Sequence, residues 1–455
     1  MDELSKLGSF AFLGDADPVP QSLFVAYPEQ AKTLSLLYEV SRELASILDR
    51  QELLQRVAQR VKKIVDYDVF SVMLWNEQTQ LLESVFGMRC NDSIPTRTQV
   101  PLHEGLTGAA AGSRRALRVH DVSKDSRYIR CETGVEVRSE LVVPLLMQDR
   151  LIGVLDLEST RPHAFTVEDE RILSTLGSYI AVALENARLY EEAVENERRL
   201  RADLDTAKEI QRQLLPAGAR EVPSLDLAVS YVPARELGGD FYDFLPYGKG
   251  RLGLALGDVS GKGTAAALYG SLAIGRIREI VVDHACDPAC MLALLNERLH
   301  TSRLDSRFIA MLFAVYDAGR RRLTLSNAGA PYPLLVRDGH VLSIRLDGVP
   351  LGILASAQYD ESIVDLQPGD VVLFASDGIL ESQNAEQEEF GMKRLSAVLA
   401  GISAEDSAQT IAERILAETD SHSGAGATLV DDRTLVVLRV TDEKASGLSK
   451  LPVIY

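Results

Sequence analysis

In the second half of this 455-residue chain, aspartates stand at the ends of apolar, alternating runs. Asp240 and Asp243 open the run after Gly238 and Gly239. Asp258 lies at the end of RLGLALGDV (251–259), Asp377 at the end of DVVLFASDG (370–378), and Asp431 and Asp432 precede TLVVLRV (434–440). The alternation reads as β-strand. In antiparallel sheets the end of one strand lies beside the start of its neighbour, so such acids converge on one edge from distant parts of the chain. Several carboxylates cannot share an edge unless cations neutralise them. Hard divalent ions with oxygen ligands, Mn2+ or Mg2+, are the natural partners. Gly238, Gly239, Gly257, Gly261 and Gly378 flank the acids and permit tight turns and close backbone approach. A single strand-end aspartate reads as a turn former. Four of them, in glycine-bearing contexts on apolar strands, read as a metal centre.

Helical runs at 267–283, 291–300 and 412–419 are mixed with strands at 226–234, 251–259, 307–317, 321–329, 370–378 and 434–440. The regular rhythm of a parallel α/β fold is missing, which predicts mainly antiparallel sheets and an α+β class. The length allows two or three domains. A 46% hydrophobic, 25% charged composition allows an ordinary core. The formal net charge of −18 repels phosphate-rich partners, which argues against nucleic acid and anionic membrane. No run approaches ~18 uninterrupted apolar residues, so no membrane span is expected. The first residues, MDELSKLGSFAFLG, are acidic where a secretory signal is basic. Cys90, Cys131, Cys286 and Cys290 are too few and scattered for a disulfide framework and point to a reducing cytoplasm. His284, Cys286 and Cys290 crowd into HACDPAC. They lack a fourth ligand and a tighter Cys pair, which favours small thiols at a helix start over a metal site.

Residues 1–30 have no clear period and read as a loose leader. From Ala31, apolar residues recur at three and four (Leu37, Val40, Leu44, Leu48, then Leu53, Leu54, Val57, Val61, Ile64), with Asp49 placed to cap the second of two helices. VFSVMLW (69–75) with QLLESVFGM (80–88), and ELVVPLLM (140–147) with RLIGVLDLES (150–159), read as hairpins. Thr166 with Glu168, Asp169 and Glu170 opens a long helix. These elements, with PLHEGLTGAAAGSRRALRVHDVSKDSRY (101–128), SELVVPLLMQDRLIGVLDLEST (139–160) and FTVEDERIL, resemble a GAF domain over residues 31–186. The resemblance implies a sensor fold and leaves its ligand or partner unknown. The Asn-Lys-Phe-Asp-Glu set linked to cyclic-nucleotide GAF domains is missing.

The closing helix runs on through ARLYEEAVENERRLRADLDTAKEIQRQLL (187–215). A heptad places Tyr190, Ala193, Glu197, Leu200, Leu204, Ala207, Gln211 and Leu214 on one seam, which Glu197 and Gln211 do not suit. A parallel coiled coil joining two protomers is expected; a single helix lying on its own domain is the other reading. Pro216 and Gly218 end it, giving a helical linker at 187–218, a second domain at 219–441 and a loose tail at 442–455.

Residues 238–244 read GGDFYDF, close to the GGDEF of diguanylate cyclases. Position 241 is Phe where a cyclase has Glu, and a cyclase leaves the motifs around Asp258, Asp377 and Asp431 unexplained. GDVSGKGT is not a P-loop, because Leu256 stands where a glycine is required and Gly263 where Ser or Thr follows Lys. ARELGGDFYDF, LALGDVSGKGTAAAL, FASDGILES and DDRTLVVLR occur in this order. Together they resemble the metal-dependent phosphatases of the PPM (type 2C) family, above all the bacterial SpoIIE-type branch that regulates sigma factors by partner switching. EIQRQLLP fits the same branch.

The resemblance covers residues 219–441 and implies an αββα sandwich with two Mn2+ or Mg2+ ions. Asp240 would bridge them, assisted by Asp258 and the backbone carbonyl of Val259. Asp377 and Asp431 would complete the site, with Asp432 and Asp243 as ligands or supports. Arg235 stands where the wider family has a phosphate-binding arginine; a surface cation is the alternative. Ser260, Lys262 and Thr264 are expected to shape the glycine turn and cap the next helix, and Ala330 stands where the family carries His. The implied function is hydrolysis of phosphoserine or phosphothreonine on a protein, with a phosphorylated STAS-type anti-anti-sigma factor as substrate. The enzyme is expected to be a cytoplasmic homodimer under GAF control. A non-catalytic scaffold with a phosphatase fold is the alternative.

Overall fold

The computed structural model describes residues 38–44, 46–89, 92–93, 98–130, 135–216, 222–248, 250–283, 286–301, 307–403, 405–424, 426–442 and 453–454. The expected leader, Cys90, Cys131, His284 and residues 443–452 of the tail lie outside the described residues. Two compact units divide the chain, Met1–Arg199 and Leu200–Tyr455.

In the first unit a helical stretch at residues 38–44 precedes α1 (Arg50–Ile64), whose first turn is capped by Asp49 accepting the Glu52 N–H at 2.8 Å. An antiparallel sheet follows, made of β1 (Val69–Asn76), β2 (Leu81–Arg89), β3 (Asp92–Ser93), β4 (Gln99–Pro101), β5 (Leu117–Val119), β6 (Ser139–Met147) and β7 (Arg150–Ser159). Its order is β3-β2-β1-β7-β6-β5, with β4 on β2, and both expected hairpins form. Strand alternation gives the sheet two apolar faces. Phe70, Val72, Leu141, Leu155 and Leu157 pack on α1 and the start of α3 (Val167–Leu214). Met73, Val142 and Val154 pack against Leu106 and Ala110 of α2 (Gly105–Ser113). Thr166 and Asp169 start α3 with a reciprocal pair: Asp169 N–H donates to Thr166 Oγ1 at 3.1 Å and Thr166 N–H to Asp169 Oδ2 at 2.8 Å. The helix then continues as one element of 48 residues.

The second unit contains two sheets. One, ordered β15-β12-β11-β10-β9, is formed by β9 (Phe241–Pro246), β10 (Arg251–Val259), β11 (Ile309–Asp317), β12 (Arg322–Ala328) and β15 (Ser362–Asp365). The other, ordered β14-β13-β16-β17-β8-β18, is formed by β8 (Leu225–Val232), β13 (Leu334–Arg337), β14 (His340–Ser343), β16 (Val371–Ala375), β17 (Arg433–Val440) and β18 (Val453–Ile454). Val229, Val372, Phe374 and Val436 bury their side chains with the first sheet and with α4 (Thr264–Asp283) and α5 (Pro288–Thr301). The alternate residues Ala228, Leu373, Leu435 and Val437 pack on α7 (Gly391–Ala400) and α8 (Ala408–Ser423). This is the αββα sandwich that the resemblance implied. Within the expected tail, Val453 and Ile454 pair in parallel with β8. No helix among the described residues is long and apolar enough to cross a membrane.

Candidate metal centre

Each sheet of the second unit carries acids to the same end. Asp240 immediately precedes β9 and Asp258 lies near the end of β10. Gly257 pairs with Phe241, so Asp258 and Asp240 are the next pair along. In the other sheet Asp377 opens a short helix, α6 (Asp377–Leu380), just after β16, and Asp431 and Asp432 precede β17, which pairs with β16.

Asp240 is 1% exposed, and Thr434 Oγ1 donates to its Oδ2 at 2.5 Å. Burial, then the charge of Asp258, pushes its carboxyl well above the usual range. Asp258 is pushed up to about 7 by burial and by Asp377 and Asp431. Asp377 is raised by burial and by Asp431. Such mutual repulsion is what converging acids produce. Lys262 answers part of it, with Nζ 2.8 Å from Asp431 Oδ2 and donating to the Val430 carbonyl. The oxygens are spread: no three of these acids come within 4.8 Å of one another.

Asp432 spends both oxygens on backbone. Oδ1 accepts the Ala234 N–H at 2.7 Å, and Oδ2 accepts the N–H groups of Gly239 at 2.5 Å and Asp240 at 3.2 Å. It thus fixes the loop that carries Asp240. At Gly378 the approach requires glycine, since a Cβ there would stand 2.0 Å from the Asp432 carbonyl oxygen; at Gly239 a Cβ would press on the Val259 carbonyl oxygen at 3.0 Å. Asp243 lies within β9, buried, and pairs with Arg278 of α4 at 2.7 and 3.3 Å. Arg278 Nη2 also donates to the Leu214 carbonyl at the end of α3, 2.7 Å away. Arg235 is exposed and has no hydrogen-bond or ion-pair partner among the described residues. Ser260 Oγ accepts the Phe308 N–H at 2.9 Å, and Thr264 begins α4. Asn327 holds the turn at Ala330, donating to its carbonyl at 2.9 Å and accepting its N–H at 2.8 Å. A cavity of about 680 Å3 opens beside Asp258 and Asp377, walled in part by Tyr332, Asp347 and Glu381.

Sequence reasoning overlooked how α3 meets this loop. Gln211 Nε2 donates to the Gly238 carbonyl at 2.7 Å, and the Gly238 N–H donates to Gln211 Oε1 at 3.3 Å. One amide therefore clamps the residue two before Asp240. The signal was its misfit in an apolar seam. Leu204, Ala207, Gln211 and Leu214 are half-buried, whereas Tyr190 and Leu200 are exposed. Thr434 and Arg278 gave no signal, being unremarked polar residues in a strand and a helix.

Residues 248–441 match the family model of stage II sporulation protein E (SpoIIE), and residues 48–185 match that of the GAF domain. The chain carries a SpoIIE-family domain behind a GAF domain. The SpoIIE match contains Asp258, Asp377 and Asp431 and begins after Asp240. Among curated relatives, the phosphoserine phosphatase RsbU of Bacillus subtilis is 28% identical over 244 residues, covering 53% of this chain and 70% of RsbU. Protein IcfG of Synechocystis is 24% identical over 266 residues, covering 52% of this chain and 41% of IcfG, so the chain spans less than half of that relative. Among solved structures, the SiaA-PP2C domain of Pseudomonas aeruginosa is 23% identical with a TM-score of 0.46, covering 54% of this chain and 98% of that one.

Proposed function

We propose that the SpoIIE-family domain is a protein phosphatase that hydrolyses phosphoserine or phosphothreonine with the help of two Mn2+ or Mg2+ ions. The observation that carries this reading is the convergence of Asp240, Asp258, Asp377 and Asp431 from two sheets, each raised by burial or by its neighbours where a shift is resolved. An all-carboxylate set suits hard divalent cations. Asp240, Asp258, Asp377, Asp431 and the Val259 carbonyl would hold them. When bound, the ions supply a more acidic water and a positive field for phosphoryl oxygens.

The chain's own residues keep this set in place. Thr434 orients Asp240, and Asp432, through three backbone N–H groups, fixes the loop before it; Asp432 and Asp243 are supports in this reading. Arg235, exposed and without a partner among the described residues, is available to a phosphoryl oxygen. The likeness to RsbU supports phosphoserine on a regulatory protein, and a STAS-type anti-anti-sigma factor is the substrate that the SpoIIE-type pattern suggests. The test is Mn2+-dependent phosphate release from phosphorylated STAS proteins. No release with either Mn2+ or Mg2+ would leave the scaffold reading standing instead.

The GAF domain is proposed to control this site through α3, in a cytoplasmic homodimer joined along the exposed part of the seam. Gln211 is where the helix grips the loop. Gln211→Ala should lower turnover about tenfold, the worth of its half-buried hydrogen-bonded pair with Gly238, with the melting temperature little changed. An unchanged rate would remove Gln211 from the control path. Deleting residues 1–186 is expected to change the basal rate or the oligomeric state, as read by phosphate release and light scattering.

A further inference from the structure

The GAF unit buries three acids that its packing does not need. Glu140 lies on β6, and Asp156 and Glu158 lie on β7, with Glu140 opposite Glu158 and Val142 opposite Asp156. They are 4%, 8% and 5% exposed, and one oxygen from each lies within 4.8 Å of the others. By strand alternation they share the sheet face of Val142 and Val154, which packs under α2, while Leu141, Leu155 and Leu157 turn to α1 and α3.

None of the three has an ion-pair partner among the described residues. Ser71 Oγ donates to Asp156 Oδ2 at 3.3 Å. Independently of the clustering, Asp156 Oδ1 and Glu158 Oε2 are buried with no hydrogen-bond partner. Burial pushes Asp156 up to about 6 and Glu158 up to about 8, and raises Glu140 well above the usual range. Glu140 and Asp156 share a hydrogen bond between their carboxyl groups, but it leaves those two oxygens unanswered; buried acids with no cation beside them are strongly unfavourable, and apolar side chains would complete this face at lower cost. Two orphaned oxygens in a knot of acids therefore point to an occupant that brings positive charge and donors.

We propose that Glu140, Asp156 and Glu158 form a binding site for a compact cation, either a divalent metal ion or the protonated primary amine of a small molecule. Both sources offer the same chemistry, a concentrated positive charge met by convergent anionic oxygens. An anionic ligand such as a nucleotide phosphate is repelled.

The chain's single tryptophan, Trp75, packs against the same face, so its fluorescence reads this site in the full-length protein independently of the phosphatase reading. One arm of the test titrates CaCl2 and MgCl2. The other titrates the common free amino acids, each beside its N-acetyl form, which lacks the cationic amine. A saturable fluorescence change in one arm is expected, with its midpoint displaced at least about tenfold in Glu158→Gln and Asp156→Asn, the loss expected for one charge-assisted contact. In the amine arm N-acetylation should remove the response. No saturable change in either arm, or the same midpoint in wild type and variants, overturns the proposal. Circular dichroism checks folding, and Glu140→Gln serves if either variant fails to fold.

Discussion

Asp240→Asn is expected to lower Mn2+-dependent phosphate release from a phosphoserine protein by about three orders of magnitude, ~4 kcal/mol of transition-state stabilisation, while the fold stands. The substitution keeps an oxygen for the Thr434 hydroxyl, which donates to Oδ2 in the wild type, and replaces the other oxygen, and with it the charge, by an amide NH2. That charge is one that burial and Asp258 already oppose, so the ion-free variant should melt no lower than the wild type. Phosphate release and scanning calorimetry on the same preparation separate the two effects. Turnover within about tenfold of wild type would place the reacting centre elsewhere. A large fall in melting temperature would mean that Asp240 holds the fold.

Arg278→Ala is expected to destabilise the second unit by about 3 kcal/mol, the lower part of the range for stripping the partner from a buried charge. Asp243 is 2% exposed and takes both guanidinium contacts, but Arg278 itself is partly open to water. With Arg278 gone, only the Phe244 N–H, 2.9 Å from Oδ1, still opposes burial at Asp243, whose pKa is already raised in the wild type. A carboxyl whose folded-state pKa lies above its unfolded value favours the native state when protonated, and that advantage is lost as pH rises through the folded pKa. The penalty of the variant should therefore be larger at pH ~8 than at pH ~4. Urea midpoints at both pH values test this, and equal penalties would show that Arg278 acts by packing. Because Arg278 also holds the last carbonyl of α3, the variant should loosen the start of the domain as well.

What was legible in the sequence followed from period and turn chemistry. RLGLALGDV became β10 with bounds that coincide with the run, because alternation, burial and flanking glycines agreed. β13, β14 and β15 were overlooked because each has four residues, too few to show a period. Asp431 and Asp432 are chemically identical neighbours. Only the N–H groups of Ala234, Gly239 and Asp240, far away in sequence, assign one of them to the backbone. Glu140, Asp156 and Glu158 follow the alternation of their strands, which ordinarily marks a solvent face. That α2 covers this face is a tertiary fact that no local pattern announces.

The placement of the four acids has a bearing on folding as well. Asp240 and Asp258 belong to one sheet, Asp377 and Asp431 to the other, so a chain with only one sheet formed owns half a coordination shell. Ions held there would act as a staple across the sandwich seam. Such a ligand binds the native state alone and, at a hundred times its Kd, would add ~2.7 kcal/mol to the unfolding free energy. During refolding, ion uptake would then mark the moment when the two sheets dock, later than the appearance of either sheet by circular dichroism.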